Sequence, residues 1–167
     1  MYDELTQKDI EKMEEEIEYR KLIVRKQALE AVKEARAHGD LSENFEYHAA
    51  KKDKNQNESR IRYLERMIKT AKIVSEESDD DKVGIHNKVE VYFEEDDETE
   101  VFTIVTTVRG DSLKGRISTQ SPIGKAVFGR KVGDRVKVHV NEECSYYVQI
   151  KAIEKQVDDE EISIRKF

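Results

Sequence analysis

Apolar residues return at spacings of three, four or seven from Ile10 through Met13, Ile17, Val24, Ala28 and Ala31 to Ala35. The same spacing of three and four returns along Tyr47, Ala50, Lys54, Asn57, Ile61, Leu64, Ile68 and Ala71, apolar but for Lys54 and Asn57. Such spacing lines side chains along one stripe of a helix, so each run predicts an amphipathic helix. Between the runs lies His38-Gly39-Asp40-Leu41-Ser42-Glu43-Asn44. Gly39 can take the left-handed residue that ends the first helix, and Asp40 or Ser42 can cap the second. Two apolar stripes joined by so short a break hide each other by folding back, which predicts an antiparallel helical hairpin. Thr6, with Asp9 three residues on, opens the first helix as a capping box in which Asp replaces the usual Glu. About 30 residues at 1.5 Å each give an arm of roughly 45 Å.

The seam is uneven. Arg20 interrupts it, by a local change of register or by an Arg stem laid across the interface. Alanines replace larger residues toward the tip, and Lys54 and Asn57 occupy seam positions, so the distal half should be held by polar contacts more than by packing. After Val74 the run Ser75-Glu76-Glu77-Ser78-Asp79-Asp80-Asp81-Lys82 has no periodicity and repels itself, as a linker does. Beyond it the period becomes two, at Val89, Val91 and Phe93, then Val101, Thr103 and Val105, then Val136, Val138 and Val140, then Tyr146, Val148, Ile150 and Ala152. These are strands of an antiparallel sheet, and Glu94 to Glu98 is an acidic hairpin loop. Ser121 before Pro122, with Gly129 after Phe128, marks one short helix by N-cap, N1 proline and C′ glycine. The expected organisation is a hairpin over residues 1–74, a linker over 75–82 and an α+β module over 83–167.

Charged residues make up 40% of the 167 and hydrophobic ones 37%, which fits a long solvated hairpin with a modest globule. The net charge of −7 disfavours an autonomous binder of duplex DNA, which needs clustered cations to displace counterions. The single Cys144, in a strand-like segment, predicts a reduced structural thiol and a cytoplasmic setting. No apolar stretch approaches the roughly 20 residues that span a bilayer, and the acidic start Met1-Tyr2-Asp3-Glu4 is unlike a signal sequence; no membrane partner is expected.

The run from His38 to Lys51, HGDLSENFEYHAAK, resembles the tip signature of the bacterial GreA/GreB transcript cleavage factors. Ser121-Pro122-Ile123-Gly124-Lys125-Ala126, followed by Gly129-Arg130-Lys131-Val132-Gly133-Asp134, resembles that family's second signature at the expected order and spacing. The resemblance implies a coiled-coil hairpin followed by an FKBP-like domain of antiparallel sheet and one short helix. It also implies that the hairpin enters the secondary channel of RNA polymerase and stimulates cleavage of backtracked nascent RNA. In that reading the protein is a cofactor to the polymerase and not itself an enzyme. Asp40 and Glu43 match the two family acids that hold a Mg²⁺ ion in the polymerase active centre, near the RNA 3′ end. The ion is shared with the polymerase, and none is expected to bind the free protein tightly. The loop of Ser121, Pro122 and Ile123 is the candidate for docking on the polymerase, with plain helix capping as the alternative. The tail from Gln156 to Phe167 runs past the expected end of the family.

The chemistry suits the residue types, since two divalent ions can cleave a phosphodiester and Mg²⁺ commonly takes only one or two protein carboxylates. The same Asp40-x-x-Glu43 spacing is also that of a capping box. Arg36, Lys51, Lys52, Lys54 and Arg60, with Arg62 and Arg66 behind them, are candidates to touch RNA phosphates or an acidic channel wall. An ordinary solvated helix face is the alternative. Mg²⁺ prefers oxygen ligands, so His38 and His48 belong to tip packing or to the surface. Phe45 is placed to pack on Leu41. Two rival functions remain, a channel-binding regulator that does not promote cleavage and a stand-alone isomerase or chaperone module. Retention of both acids argues against the first. Absence of Trp for a lined prolyl pocket argues against the second.

Overall fold

A computed structural model describes residues 3–39, 43–155 and 164. The chain divides into two compact units, one formed by Ile10–Ala71 and the other combining Asp3–Asp9 with the chain from Lys72 onward.

The first unit is the expected antiparallel hairpin. Helix α1 (Gln7–Tyr19) continues through a π-helical turn, Arg20–Val24, into α2 (Arg25–Arg36), and α3 (Phe45–Lys69) returns alongside. The π turn falls where Arg20 breaks the seam, and both explanations for that break hold. The register changes, with the Arg25 amide donating five residues back to the Arg20 carbonyl. The Arg20 side chain also crosses to α3, donating from Nη1 to Asn57 Oδ1 at 3.0 Å, while Asn57 Nδ2 returns a bond to the same Arg20 carbonyl at 3.3 Å. A buried polar residue in the seam thus adds a second bond to the carbonyl that takes the π-turn hydrogen bond. Around it, Arg60 grips Glu16 with two nitrogens, Arg25 grips Glu58 likewise, and Lys21 pairs with Glu65. Ile61, Leu64 and Met67 are buried in the proximal half of α3, whereas Ala35 is the one buried residue of α2, so packing thins toward the tip as expected.

In the second unit β1 (Glu4–Leu5) runs parallel to β2 (Lys72–Ile73), two short strands with no signal in the sequence. The main sheet has the order β5-β4-β3-β7-β6, from β3 (Lys88–Phe93), β4 (Glu98–Val105), β5 (Arg116–Ser118), β6 (Arg135–His139) and β7 (Ser145–Glu154). Its pairs are antiparallel except at one edge, where β5 runs parallel to β4. Strand β5 has no signature in the residues, because three are too few to show a period. Helix α4 (Pro122–Val127) packs on the sheet, with Val127 buried among Val89, Val91, Ile104, Val136, Val138, Val148 and Ile150. Its signals are all met: Ser121 Oγ accepts from the Gly124 amide at 3.0 Å, Pro122 is in the first turn and Gly129 has φ +77°. A Cβ on Gly124 would fall 2.0 Å from the Ser118 carbonyl oxygen, so only glycine lets this turn lie against the end of β5.

One side chain and one segment differ from expectation. Cys144 is exposed in the turn between β6 and β7 instead of lying in a strand, because the Asn141 side chain accepts from its amide and closes a loop there. The acidic run 75–82 has no regular structure beyond an isolated bridge from Lys82 to Lys131, yet it is tied down. Lys155 Nζ donates to Ser78 Oγ at 2.7 Å, to the Asp79 carbonyl at 2.8 Å and to the Lys82 carbonyl.

The capping box at Thr6 is present and carries more than a cap. Asp9 Oδ2 accepts from the Thr6 amide at 3.0 Å, and Thr6 Oγ1 accepts from the Asp9 amide at 3.1 Å. The same carboxylate accepts from Thr106 Oγ1 at 2.7 Å and from Arg109 Nε. The Asp9 and Arg109 side chains are both fully buried.

Candidate functional site

The site is built where α2 ends and α3 begins. Asp40, Leu41 and Ser42 lie outside the described residues, and so do the Asp40 part of the site and the contact expected between Phe45 and Leu41. On either side the ends of the two helices are fastened by side chains. The residue that caps α3 is Asn44, in extended conformation at φ −90°, with Oδ1 accepting from the Tyr47 amide at 3.0 Å. This corrects the expectation that Asp40 or Ser42 caps the return helix. With the cap at Asn44, Glu43 precedes the helix and cannot be the third residue of a capping box begun at Asp40. The signal was available: Asn is among the best N-caps and stands directly before the periodic run. Asn44 also reaches back, donating from Nδ2 to the Ala35 carbonyl at 2.7 Å, which accepts from the His38 amide at 3.1 Å as well, and so ties the start of α3 to the end of α2. Gly39 has φ +137°, a value that favours glycine, but helix α2 is already capped at Ala37, one residue earlier than a C′ glycine at 39 requires.

Asn44→Ala is therefore expected to cost about 0.5 to 2 kcal/mol in urea unfolding, in the upper part of that span because the bond to Ala35 is lost too. Asn44→Asp should keep the cap and lose only that second bond. Equal stability of all three proteins would refute the cap.

His38 Nδ1 lies 2.8 Å from Glu46 Oε2, joining the end of α2 to the first turn of α3. The hydrogen bond to this carboxylate raises the imidazole above its ordinary 6.5. A raised pKa favours the charged form in the folded state, so the tie is complete below 6.5 and is lost as pH rises through the folded value. An NMR titration should find His38 above 6.5 in the parent and lower in Glu46→Gln; identical values would remove the tie. His48 is exposed and its ring meets Tyr47 edge-on at 5.6 Å, a surface role as expected.

Glu43 and Phe45 are exposed, Phe45 to 86%. Glu43 shares a shallow depression with His38, Asn44, Phe45 and Glu46. As a place for Mg²⁺, this depression offers one carboxylate without a described ion-pair partner beside another already turned to His38. Among the described residues no three of the His, Cys, Asp and Glu side chains converge to hold a metal. The carboxylate oxygens of Glu43 and Glu46 suit a hard cation but fill only part of its shell.

The cations separate into two groups. Arg36 Nη2 lies 3.5 Å from the Tyr47 hydroxyl and its guanidinium stands 5.6 Å from that ring, and the hydroxyl is lowered from 10.0, chiefly by Arg36, with Lys51 and Lys54 adding to it. Lys51 and Lys52 line a groove of about 450 Å³ along α3 with His48, Asn55, Gln56 and Ser59. Arg36, Lys51, Lys52 and Lys54 thus gather on the distal third of the arm. Arg60 does not join them. It is 2% exposed and spends its guanidinium on Glu16, so it is a structural clamp of the hairpin and no longer a contact candidate. The clamp was invisible in the sequence because its partner is 44 residues away. Arg62 hydrogen-bonds Ser59 and Arg66 stands over the Tyr63 ring, both on the outer face. In the second unit Ser121 is shown as a cap, Pro122 is exposed and Ile123 is half-buried against the core.

Residues 4–73 match the family model "Transcription elongation factor, N-terminal" and residues 77–155 match "Transcription elongation factor, GreA/GreB, C-term". The chain is 47% identical over 137 residues to transcription elongation factor GreA of Thermoanaerobacter pseudethanolicus, covering 81% of this chain and 87% of the relative. It is 44% identical over 135 residues to GreA of Geobacillus kaustophilus, covering 80% and 85%. Among solved structures it is similar to the GreA factor homolog 1 protein of Thermus thermophilus, with 25% identity, a TM-score of 0.43, and 92% and 99% of the two chains covered. Matched along both of its units, this chain belongs to the GreA/GreB family of transcription elongation factors.

Proposed function

We propose that this protein carries the carboxylates of Asp40 and Glu43 on its hairpin into the secondary channel of bacterial RNA polymerase and stimulates the polymerase's own cleavage of backtracked RNA. The observation that supports this most is the cap at Asn44. It leaves Glu43 exposed and outside the helix, removing the structural role that its spacing suggested. Asp40 and Glu43 are the residues that would hold Mg²⁺, which when bound would supply charge stabilisation at the scissile phosphate. Asp40 and Glu43 would each give it oxygen, and their remaining task is to arrive at the right place. The ties of Asn44 to Ala35 and of His38 to Glu46 keep the ends of the two helices together while they do so. The second unit docks on the polymerase through Ser121, Pro122 and Ile123. The protein works in the bacterial cytoplasm; no described helix is long and apolar enough to cross a membrane. A stalled, backtracked elongation complex tests the reading: adding the protein should speed release of the RNA 3′ fragment, and an unchanged rate would end it.

Arg36, Lys51, Lys52 and Lys54 bind RNA phosphates or an acidic wall in this reading. Replacing the three lysines by Gln should weaken apparent affinity for the complex most at low salt, and the difference from the parent should shrink as salt screens the attraction. The unfolding midpoint should barely move for Lys51 and Lys52, which are exposed, and Gln at the half-buried Lys54 keeps most of its stem. Unchanged affinity at every salt concentration would assign them to the solvated face, and a loss independent of salt would overturn the electrostatic contact.

A further inference from the structure

Four large apolar side chains stand exposed on the outgoing rod of the hairpin, formed by α1, the π turn and α2. Tyr19 is 57% exposed, Leu22 62%, Ile23 44% and Leu29 47%. None of them is buried in the seam with α3, and they fall within about three turns of helix on a stretch rich in charge. Large apolar residues gathered on a charged surface mark a contact with another molecule.

The charges around this cluster are ordered. Leu22 lies in the π turn, Glu18 comes four residues before it and Lys26 four after it, and Glu11 and Lys33 follow seven further out on either side. A step of four is close to one turn in an α-helix and in the wider π turn alike, and a step of seven inside α1 or α2 is close to two turns. The five residues therefore form one line along the rod, and all five are exposed. The ion pairs that clamp the hairpin, Arg20 and Arg60 on Glu16, Arg25 on Glu58 and Lys21 on Glu65, leave these four charges out. Read along the rod, the line is acid, acid, leucine, base, base. Its spacing is symmetric about Leu22 and its charge reverses there.

We infer that this face binds a second copy of the chain, the two outgoing rods lying antiparallel about a two-fold axis at Leu22. Turning one rod end for end about that axis sets Leu22 on Leu22, Glu18 on Lys26 of the second copy and Glu11 on its Lys33. Each ion pair then occurs twice, because both copies use the same patch. Tyr19 and Ile23 lie beside the central leucines and add to the apolar surface removed from water. A parallel arrangement in register would set each acid against an acid and each base against a base, so the charges select the antiparallel one. The net charge of −7 on each copy opposes association, which keeps the pairing weak and makes it depend on this line.

The test is sedimentation equilibrium of the full chain from about 1 μM to about 1 mM, where the parent should convert reversibly from monomer to dimer. Lys26→Glu sets acid on acid at two places and should weaken the dimer by roughly tenfold or more. Glu18→Lys sets base on base and should weaken it likewise, although it makes the chain less negative and would tighten an association governed by net charge. Glu18→Lys combined with Lys26→Glu exchanges the members of both inner pairs at unchanged net charge, and should restore the parental dimer. Helix content by circular dichroism should stay at the parental level in all three variants, since both positions are exposed. A parent that stays monomeric at every concentration would overturn the proposal. So would a dimer indifferent to Lys26→Glu, one that Glu18→Lys tightens, or one that the double variant fails to restore, each of which places the contact on another face.

Discussion

Glu43→Gln is expected to depress stimulated RNA cleavage on the order of a hundredfold or more, with polymerase binding retained and stability unchanged to within about 0.5 kcal/mol. The reasoning separates charge from shape. Gln is nearly the same size as Glu, and Glu43 is exposed, outside α3 and replaced as a capping partner by Asn44. Nothing described in the fold depends on its charge. A hard divalent ion does, because a neutral amide oxygen gives up most of the electrostatic hold of a carboxylate. Asp40→Asn should behave the same way. Raised Mg²⁺ should restore part of the activity of either variant, since the lesion is in ion affinity. Cleavage by Glu43→Gln at the parental rate, measured on a backtracked complex, would show that the acids are not ligands.

The other large effect is on stability. Arg109→Ala should destabilise the protein by about 3 to 5 kcal/mol, read from urea unfolding, because it strands the fully buried Asp9 carboxylate with a lost cationic partner. That is a large share of the roughly 5 to 15 kcal/mol that holds a domain together. Asp9→Asn should cost less, as an amide oxygen can still accept from Thr6 and Thr106. Replacing the pair together with apolar residues should recover part of the loss and not all of it, since the Thr6 amide and the Thr106 hydroxyl would then lack their acceptor. A loss below about 1 kcal/mol in Arg109→Ala would mean that the buried charge has other support. The pair also bears on how the chain can be cut. A fragment beginning at residue 83 keeps Arg109 and discards Asp9, so it carries a defect unrelated to the missing hairpin.

Much of this was legible in the residues, and the limit was separation along the chain. Interactions closing within a few residues were found: the Thr6 and Asp9 box, the Ser121 cap, the glycine after Phe128, and both helical stripes. Asn44 lies within the same reach, but Asp40 and Ser42 are equally good caps and spacing does not choose among the three. Partners far apart left no trace. Nothing near Asp9 announces Arg109, which is 100 residues on, and nothing near Arg60 announces Glu16. For Arg60 the consequence was a surface role assigned to a buried side chain. Elements of two or three residues, such as β1, β2 and β5, are too short to have a period and exist because a neighbouring strand offers them hydrogen bonds.

The π turn at Arg20–Val24 also acts as a phase setting. An α-helix advances about 100° per residue, and a π turn accommodates one residue more than its neighbours without breaking the rod. The stripe that begins at Ile10 and Met13 is therefore resumed beyond the turn on a different count, so that Ala35 is again buried. Had the chain lost one residue between Arg20 and Val24, every side chain from Arg25 to Arg36 would be rotated by about 100° against α3. The grip of Arg25 on Glu58 and the meeting of Arg36 with Tyr47 would both face away. The azimuth from which the arm offers its end is thus written by one surplus residue some four turns below it.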